Sequence, residues 1–349
     1  MYLNKIMLNQ INHRQISLSI RPLPTPKSPR GDFYIPLLGG DRGGSCGIFS
    51  NLNIENHYYR HIFIHLLDTR ETKLLYSYIK MPKILVKDFN LEHTLLCGQM
   101  FRVTRAGDWY YIVARDRIFR VRQSVDCLEF QGVDEKFLVH YFALDEPYQT
   151  ILKQIEKDSY IRKAIKKYHG LRIVRQDPWE CLISFLCSSA ANIPKIKLNL
   201  EMLSKSFGKR IELNGFEGYS FPNPGELNHY ERIFQAKTGF RAIYIKTAND
   251  CVSEAFLMSL KKLPYREAKK ALTQIPGVGD KIADCILLFS LGFTEAFPID
   301  TWIKKILQKL YFKNQIVSSQ HLRDFGLTYF GRYAGYAQQF LYMLAREPG

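Results

Sequence analysis

The chain has 349 residues, 49 of them lysine or arginine against 33 aspartate or glutamate, for a formal charge of +16 and a pI near 9.4. Its hydrophobic content of 46% supports one large or two moderate cores and excludes a wholly disordered chain. The basic excess points to an anionic partner, most often nucleic acid, with a merely soluble basic protein as the plain alternative.

Seven cysteines (Cys46, Cys97, Cys127, Cys181, Cys187, Cys251 and Cys285) are odd in number, irregularly spaced and without a Cys-x-x-Cys pair. That pattern speaks against a disulfide framework and against a cysteine-based zinc or iron–sulfur site, and it fits a reducing, intracellular setting. No apolar run reaches the roughly 18 residues of a membrane-spanning helix, and the start lacks the apolar core of a secretory signal. No membrane, metal or cofactor is expected.

Residues 1–80 differ in character from the rest. Met1–Arg30 contains no acidic residue, Pro22–Pro26 is extended in character, and Ile35–Gly44 is turn-rich without periodicity. Two explanations compete: a basic, acid-poor targeting peptide, or upstream sequence translated ahead of a functional start at Met81. The second is favoured, and under either one the extension is expected to be disordered, with little ordered core.

From Met81 the pattern sharpens. Phe101–Thr104, Trp109–Val113, Ile118–Val121 and Cys127–Phe130 are short β-prone runs separated by turn residues, which predicts an antiparallel meander. Phe137–Phe142 and Ile151–Tyr168 carry helical periodicity. Beyond residue 170 the strand signal does not return. Asp177-Pro178 predicts a helix start with aspartate as N-cap, and that helix is expected to bury the stripe Leu182, Ile183, Phe185 and Leu186. Tyr265–Gln274 and Lys281–Leu291 read as a helix pair around a glycine hairpin. The expected fold class is α+β, with an extension over 1–80, a β-rich domain over 81–170 and a helical domain over 171–349.

The hairpin Pro276-Gly277-Val278-Gly279 offers two glycines able to adopt positive φ and backbone amides that converge on one point, a natural phosphate site. Such a site positions a nucleic-acid backbone without reading sequence; an ordinary αα-hairpin is the alternative. Lys281 follows in the first turn of the second helix, where the helix dipole is unfavourable for an ammonium, and a neutral lysine is a nucleophile for carbon. Its plainer role is a phosphate contact. Asp300 stands 300 − 281 = 19 residues later in Pro298-Ile-Asp-Thr-Trp302. It is expected to cap a helix over Thr301–Tyr311 and, oriented in that way, to steady positive charge on a sugar.

Ile275–Cys285 together with Pro298-Ile-Asp300 resembles the helix-hairpin-helix DNA glycosylase superfamily, and more narrowly the 8-oxoguanine DNA glycosylase/AP lyases. Supporting stretches are Gly98-Gln-Met-Phe-Arg102, Arg175–Ser189, Gly239-Phe-Arg-Ala242 and Ala334-Gly-Tyr-Ala-Gln338. The resemblance runs from about Met81 to the C-terminus. The cysteine cluster of the endonuclease III-like branch is missing, since no cysteine follows Cys285, and alkyladenine glycosylases of this fold lack the lysine.

The resemblance implies a bifunctional enzyme acting as a monomer on double-stranded DNA containing 8-oxoguanine. The damaged nucleotide is flipped out, Lys281 attacks C1′, Asp300 stabilises the sugar cation, and a Schiff base leads to β-elimination. It implies that the Gly98 carbonyl accepts the N7–H of the oxidised base, where guanine itself presents an acceptor. Gln338 reads the Watson–Crick edge, with Tyr342 and Cys285 on the two faces of the base. Gly277, Val278 and Gly279 hold the backbone, Phe240 is the wedge that enters the stack, and Arg241 meets the orphaned cytosine. Asn192 and Lys195 are further DNA contacts. Without the resemblance, Gly98 reads as a strand-entry glycine, Cys285, Tyr342 and Phe240 as core, and Arg241 as a solvated charge.

This chain departs from the family where the opposite base is read. Ala190-Ala191-Asn192 replaces an asparagine run, Lys195 replaces an arginine whose planar fork a lysine cannot reproduce, and Trp302 replaces a common histidine. A weaker preference for cytosine opposite the lesion is expected. The alternatives are a glycosylase for another damaged base, or a DNA-binding protein that uses the hairpin alone.

Overall fold

The computed structural model describes residues 81–347, together with the backbone of two short strands, Asp32–Tyr34 and Ile48–Ser50, which pair with each other antiparallel. The expectation of little ordered core in 1–80 otherwise lies outside the described residues. The unit that begins at Met81 is described below.

In chain order its elements are β1 (Lys83–Leu85), α1 (Leu91–Leu96), β2 (Val103–Ala106), β3 (Trp109–Ala114), β4 (Arg117–Ser124), β5 (Cys127–Gln131), α2 (Glu135–Tyr141), α3 (Tyr148–Ile155), α4 (Ser159–Lys167), α5 (Pro178–Cys187) and α6 (Ile193–Phe207). There follow β6 (Arg210–Leu213), β7 (Phe216–Tyr219), α7 (Tyr230–Ile233), α8 (Arg241–Cys251), α9 (Glu254–Ser259), α10 (Tyr265–Leu272), α11 (Asp280–Ile286), α12 (Thr301–Tyr311), α13 (Ser319–Phe330) and α14 (Ala334–Ala345). The fold is α+β, a sheet followed by a helical assembly.

The meander forms as the alternation requires. The five-stranded antiparallel sheet has the order β1-β5-β4-β3-β2, and Ile112 faces Phe119 while Val121 faces both Tyr110 and Phe130 across the ladders. These side chains, with Leu91, Leu138 and Phe142, make the sheet's own core. Strand β1 was not anticipated; it is a short edge strand that pairs Lys83 with Glu129.

Three expectations need correction. The strand signal does return: β6 and β7 form a hairpin whose Asn214 and Gly215 both take positive φ, 52° and 77°. Asn-Gly is the dipeptide a tight hairpin turn demands. The hairpin packs on the sheet, with Phe216 stacked on Tyr111 at 4.3 Å between ring centroids, so β3 is buried on both faces. The single helix expected over Ile151–Tyr168 is two, α3 and α4, because Asp158 interrupts it. One Asp158 oxygen accepts the amides of Tyr160 and Ile161, at 2.7 and 3.0 Å, and the other accepts the hydroxyls of Tyr311 and Tyr329 at 3.0 and 3.1 Å. Finally, α5 does not bury a stripe. Every residue from Trp179 to Cys187 is buried, as in a helix enclosed on all sides, and α5 runs through the larger core against α6, α8 and α11. Asp177 caps it as expected, accepting the Glu180 amide at 2.8 Å.

Helix α11 is held from its outer side by a buried ion cluster. Asp284, with no exposed surface, accepts from Arg323 Nε at 2.8 Å, Lys269 Nζ at 3.0 Å and the Tyr265 hydroxyl at 2.6 Å. It thereby joins α10, α11 and α13. Removing one member of such a cluster leaves buried charges without a partner. Asp284→Ala is therefore predicted to destabilise the protein by about 3–5 kcal/mol. Urea unfolding tests this: the midpoint falls with an unchanged slope, whereas a loss under about 1 kcal/mol would mean that water already compensates these cations.

Candidate active site

The α10–α11 hairpin is built by one left-handed residue. Gly277 has φ +88°, and a Cβ there would lie 2.5 Å from Cγ of Tyr244 on α8, so both backbone and packing require glycine. Gly279 corrects the expectation of two positive-φ glycines: its backbone is extended, at φ −88° and ψ −179°. Nothing lies within 4 Å of where its Cβ would be, which leaves open space in front of the first amides of α11. Val278 is buried, so any ligand contact by it uses its backbone.

Lys281 is the second residue of α11. Its Nζ donates to Ser188 Oγ at 2.9 Å and sits 5.3 Å from the ring centroid of Phe185. The Ser188 hydroxyl donates its only proton to the Phe185 carbonyl at 2.7 Å. It can therefore offer Lys281 nothing but a lone pair. The serine lies just past the C-terminus of α5, and the buried helix fixes its position.

Asp300 caps α12 as expected, accepting the Ile303 amide at 2.8 Å. Burial pushes its carboxyl above the usual carboxylate range. Hydrogen bonding from the Ile303 and Trp302 amides and the charges of Lys281 and Arg346 oppose the rise. Lys281 and Asp300 open into one cavity of about 950 Å³. The same cavity is lined by Gly98, Cys285, Gln338 and Tyr342, by Asn192, and by Gly277 and Gly279. Cys285 lies one turn beyond Lys281, and burial pushes its thiol up to about 12, so it remains a neutral thiol.

Gly98 is placed by its neighbour. The fully buried Gln99 side chain donates to the carbonyls of Thr94 and Arg172 at 2.9 and 2.8 Å and accepts the Val174 amide at 2.9 Å. Its backbone carbonyl accepts from Gln176 Nε2 at 2.7 Å. Gly98 itself has φ +79°, and a Cβ would stand 2.9 Å from the Tyr342 hydroxyl oxygen.

Four expected residues do not line the cavity: Val278, Lys195, Phe240 and Arg241. Phe240 is 58% exposed on a turn preceded by Gly239 at φ +58°, a protruding apolar ring. Arg241 is buried, and its guanidinium donates to the carbonyls of Ser189, Ala190 and Thr238. It secures the loop at Ala190, whose φ of 49° costs a non-glycine residue roughly 1–2 kcal/mol. Asn192 caps α6, accepting the Lys195 amide at 3.0 Å.

Ser188, Gln339 and Arg346 are among the lining residues to which the sequence gives no role. Ser188 sits in a stretch used only for resemblance. Gln339 lies on α14 beside Tyr342, and Arg346 just past its end; two adjacent glutamines in an otherwise apolar helix are the available signal.

Residues 83–182 match the family described as 8-oxoguanine DNA glycosylase, N-terminal domain. Among solved structures, MBOgg1 in complex with a low-affinity DNA ligand is 37% identical with a TM-score of 0.72, over 76% of this chain and 96% of that one. The Clostridium acetobutylicum 8-oxoguanine glycosylase/lyase, in complex with double-stranded DNA containing cytosine opposite 8-oxoguanine, is 33% identical with a TM-score of 0.71, over 76% and 97%. The chain belongs to the 8-oxoguanine DNA glycosylase family. The probable N-glycosylase/DNA lyase of Methanothermobacter thermautotrophicus is 26% identical over 307 residues, 76% of this chain and 96% of the relative. The N-glycosylase/DNA lyase OGG1 of Arabidopsis thaliana is 36% identical over 203 residues, which is 54% of this chain and only 55% of that relative's length. The matched family segment carries Gly98 and the first half of α5; the hairpin, Lys281 and Asp300 lie beyond it.

Gly98→Ala is predicted to cost about 1–2 kcal/mol from the left-handed backbone alone, plus the displacement of Tyr342. In urea unfolding, adding Tyr342→Phe should recover part of the loss and leave the backbone share. Full recovery in the double variant would show that the backbone conformation is not the constraint.

Proposed function

We propose that this chain is a bifunctional DNA glycosylase and AP lyase that excises 8-oxoguanine from double-stranded DNA, acting as a monomer through a Schiff base on Lys281. The observation that carries the reading is a single cavity that gathers a lysine amine, a half-buried carboxylate and the Gly98, Cys285, Gln338 and Tyr342 set. A binding module would need the hairpin but not this arrangement. The charge of +16 favours association with a polyanion.

The flipped base enters the cavity. The Gly98 carbonyl accepts N7–H, which guanine lacks; Tyr342 covers one face and Cys285 the other, while Gln338 faces the Watson–Crick edge. The neutral amine of Lys281 adds to C1′ as the C1′–N9 bond breaks; the base leaves with that electron pair and takes a proton. Asp300 offsets the positive charge that develops on the sugar. Opening of the C1′–O4′ bond gives the protonated imine, loss of a C2′ proton follows, and the 3′ phosphate leaves by β-elimination. Phe240 fills the vacated stack.

With Ala190, Ala191 and Lys195 near the site of the opposite base, discrimination is weaker by about 1–3 kcal/mol for each hydrogen-bonding side chain missing there. On duplexes carrying 8-oxoguanine opposite cytosine or adenine, the wild-type protein should excise and nick both, with rates within about tenfold, and Lys281→Gln should do neither. Retained excision by Lys281→Gln would assign the chemistry to another group. Nicking of the cytosine duplex alone would contradict the relaxed selectivity.

Asp300 works as a carboxylate, so activity falls as pH drops and protonates it. Because burial raises its titration, the acid limb of single-turnover excision should lie above the ordinary carboxylate value near 3.9. Asp300→Asn should remove that limb and lower the rate by roughly 10²–10³-fold. An unchanged limb in the variant would assign it to another group.

A further inference from the structure

Gln339 lines the active-site cavity with only 2% of its surface exposed, and its Oε1 has no hydrogen-bond partner among the described residues. Gln338, 4% exposed, has the same unpartnered oxygen. Buried polar atoms are almost always paired, because leaving one unpaired costs stability. Two adjacent orphans on one helix therefore point to a missing partner. The proposed reading of the base accounts for Gln338 but gives Gln339 nothing to do.

The rest of α14, Ala334-Gly-Tyr-Ala before the pair and Phe-Leu-Tyr-Met-Leu-Ala345 after it, offers no other amide. Gln339 shares a helix face with Tyr342, three residues on, and both line the cavity, as does Arg346 just past the helix end. A ligand held against Tyr342 thus lies beside both amides.

We infer that Gln339 is a second base-reading residue. Its carbonyl accepts one N–H from the edge of the flipped base while the Gln338 carbonyl accepts another. Two neighbouring acceptors require two neighbouring donors. A guanine-type ring presents N1–H beside its exocyclic 2-amine, whereas an adenine-type ring presents the N1 lone pair and C2–H on that edge. The pair thus restricts the enzyme to damaged bases of the guanine type. This inference rests on the 8-oxoguanine reading of the cavity.

The test uses the full chain and Gln339→Met, which keeps length and removes the orphan. Four quantities are measured: the thermal midpoint without DNA, single-turnover excision of 8-oxoguanine and of 8-oxoadenine, and cleavage at a preformed abasic site, where there is no base to read. The variant should melt roughly 2–4 °C higher, and the ratio of excision to abasic cleavage should fall at least tenfold. Wild type should prefer 8-oxoguanine over 8-oxoadenine, and the variant should lose part of that preference. A lower midpoint, or a variant that does not fold, would overturn the inference, because the glutamine would then be a structural partner. An unchanged ratio would overturn it too. Wild-type protein that cleaves abasic sites but leaves 8-oxoguanine in place would overturn the reading of the cavity and this inference with it. Wild type that excises 8-oxoguanine, matched by the variant, would overturn this inference alone.

Discussion

Everything in the cavity depends on where the Lys281 amine is held. It sits in the first turn of a helix, half-buried, with a carboxylate opening into the same space. Left to Coulomb attraction, a flexible lysine would lie against Asp300 and present no lone pair to carbon. The amine instead donates to Ser188 at 2.9 Å. The serine proton is committed to the Phe185 carbonyl, so the lysine must donate to it. A neutral amine that donates one N–H toward Ser188 turns its lone pair away from that hydroxyl. The proposed nucleophile would thus be oriented by a group that takes no part in the bond changes.

That hydrogen bond is only as good as the two helices it joins. Buried on all sides, α5 delivers Ser188 as a fixed point, and the Asp284 cluster fixes α11 from the opposite flank. Arg241 secures the loop that follows Ser188, at the foot of the turn carrying Phe240. The exposed Phe240 ring and the loop after Ser188 are therefore tied together through the Arg241 guanidinium. Meanwhile the loop between α1 and β2 contributes Gly98, aimed by a glutamine whose side-chain amide is fully paired. Paired Gln99 and unpaired Gln338 and Gln339 are complementary uses of one residue type. The first rigidifies the frame, and the other two leave hydrogen-bonding capacity where a ligand will fill it, at a cost in stability characteristic of binding sites.

Local chemistry made part of this legible in the sequence. Asp177-Pro178 and Asp300 announced helix starts because an N-cap is a property of neighbouring residues, and the sheet followed from alternation with a period of two. Where tertiary partners decide, the reading failed. Asp158 breaks a helix because Tyr311 and Tyr329, more than 150 residues away, hold its second oxygen. No local periodicity distinguishes a stripe from the uniform burial of α5. The Asn214-Gly215 turn was a local signal and was overlooked amid helical sequence. Gly279 was assigned positive φ from its type, but its extended backbone is set by the entry into α11. Ser188 was invisible as a partner of Lys281 because the two are 93 positions apart.

One lysine of a basic chain is proposed to carry the covalent chemistry. Peptide mapping by mass spectrometry, after borohydride reduction of the wild-type protein incubated with an 8-oxoguanine duplex, tests it most directly. The account predicts a sugar-derived mass increase on the peptide containing Lys281 and on no other. An adduct on Lys304, which also lines the cavity, or on the N-terminal amine would contradict it.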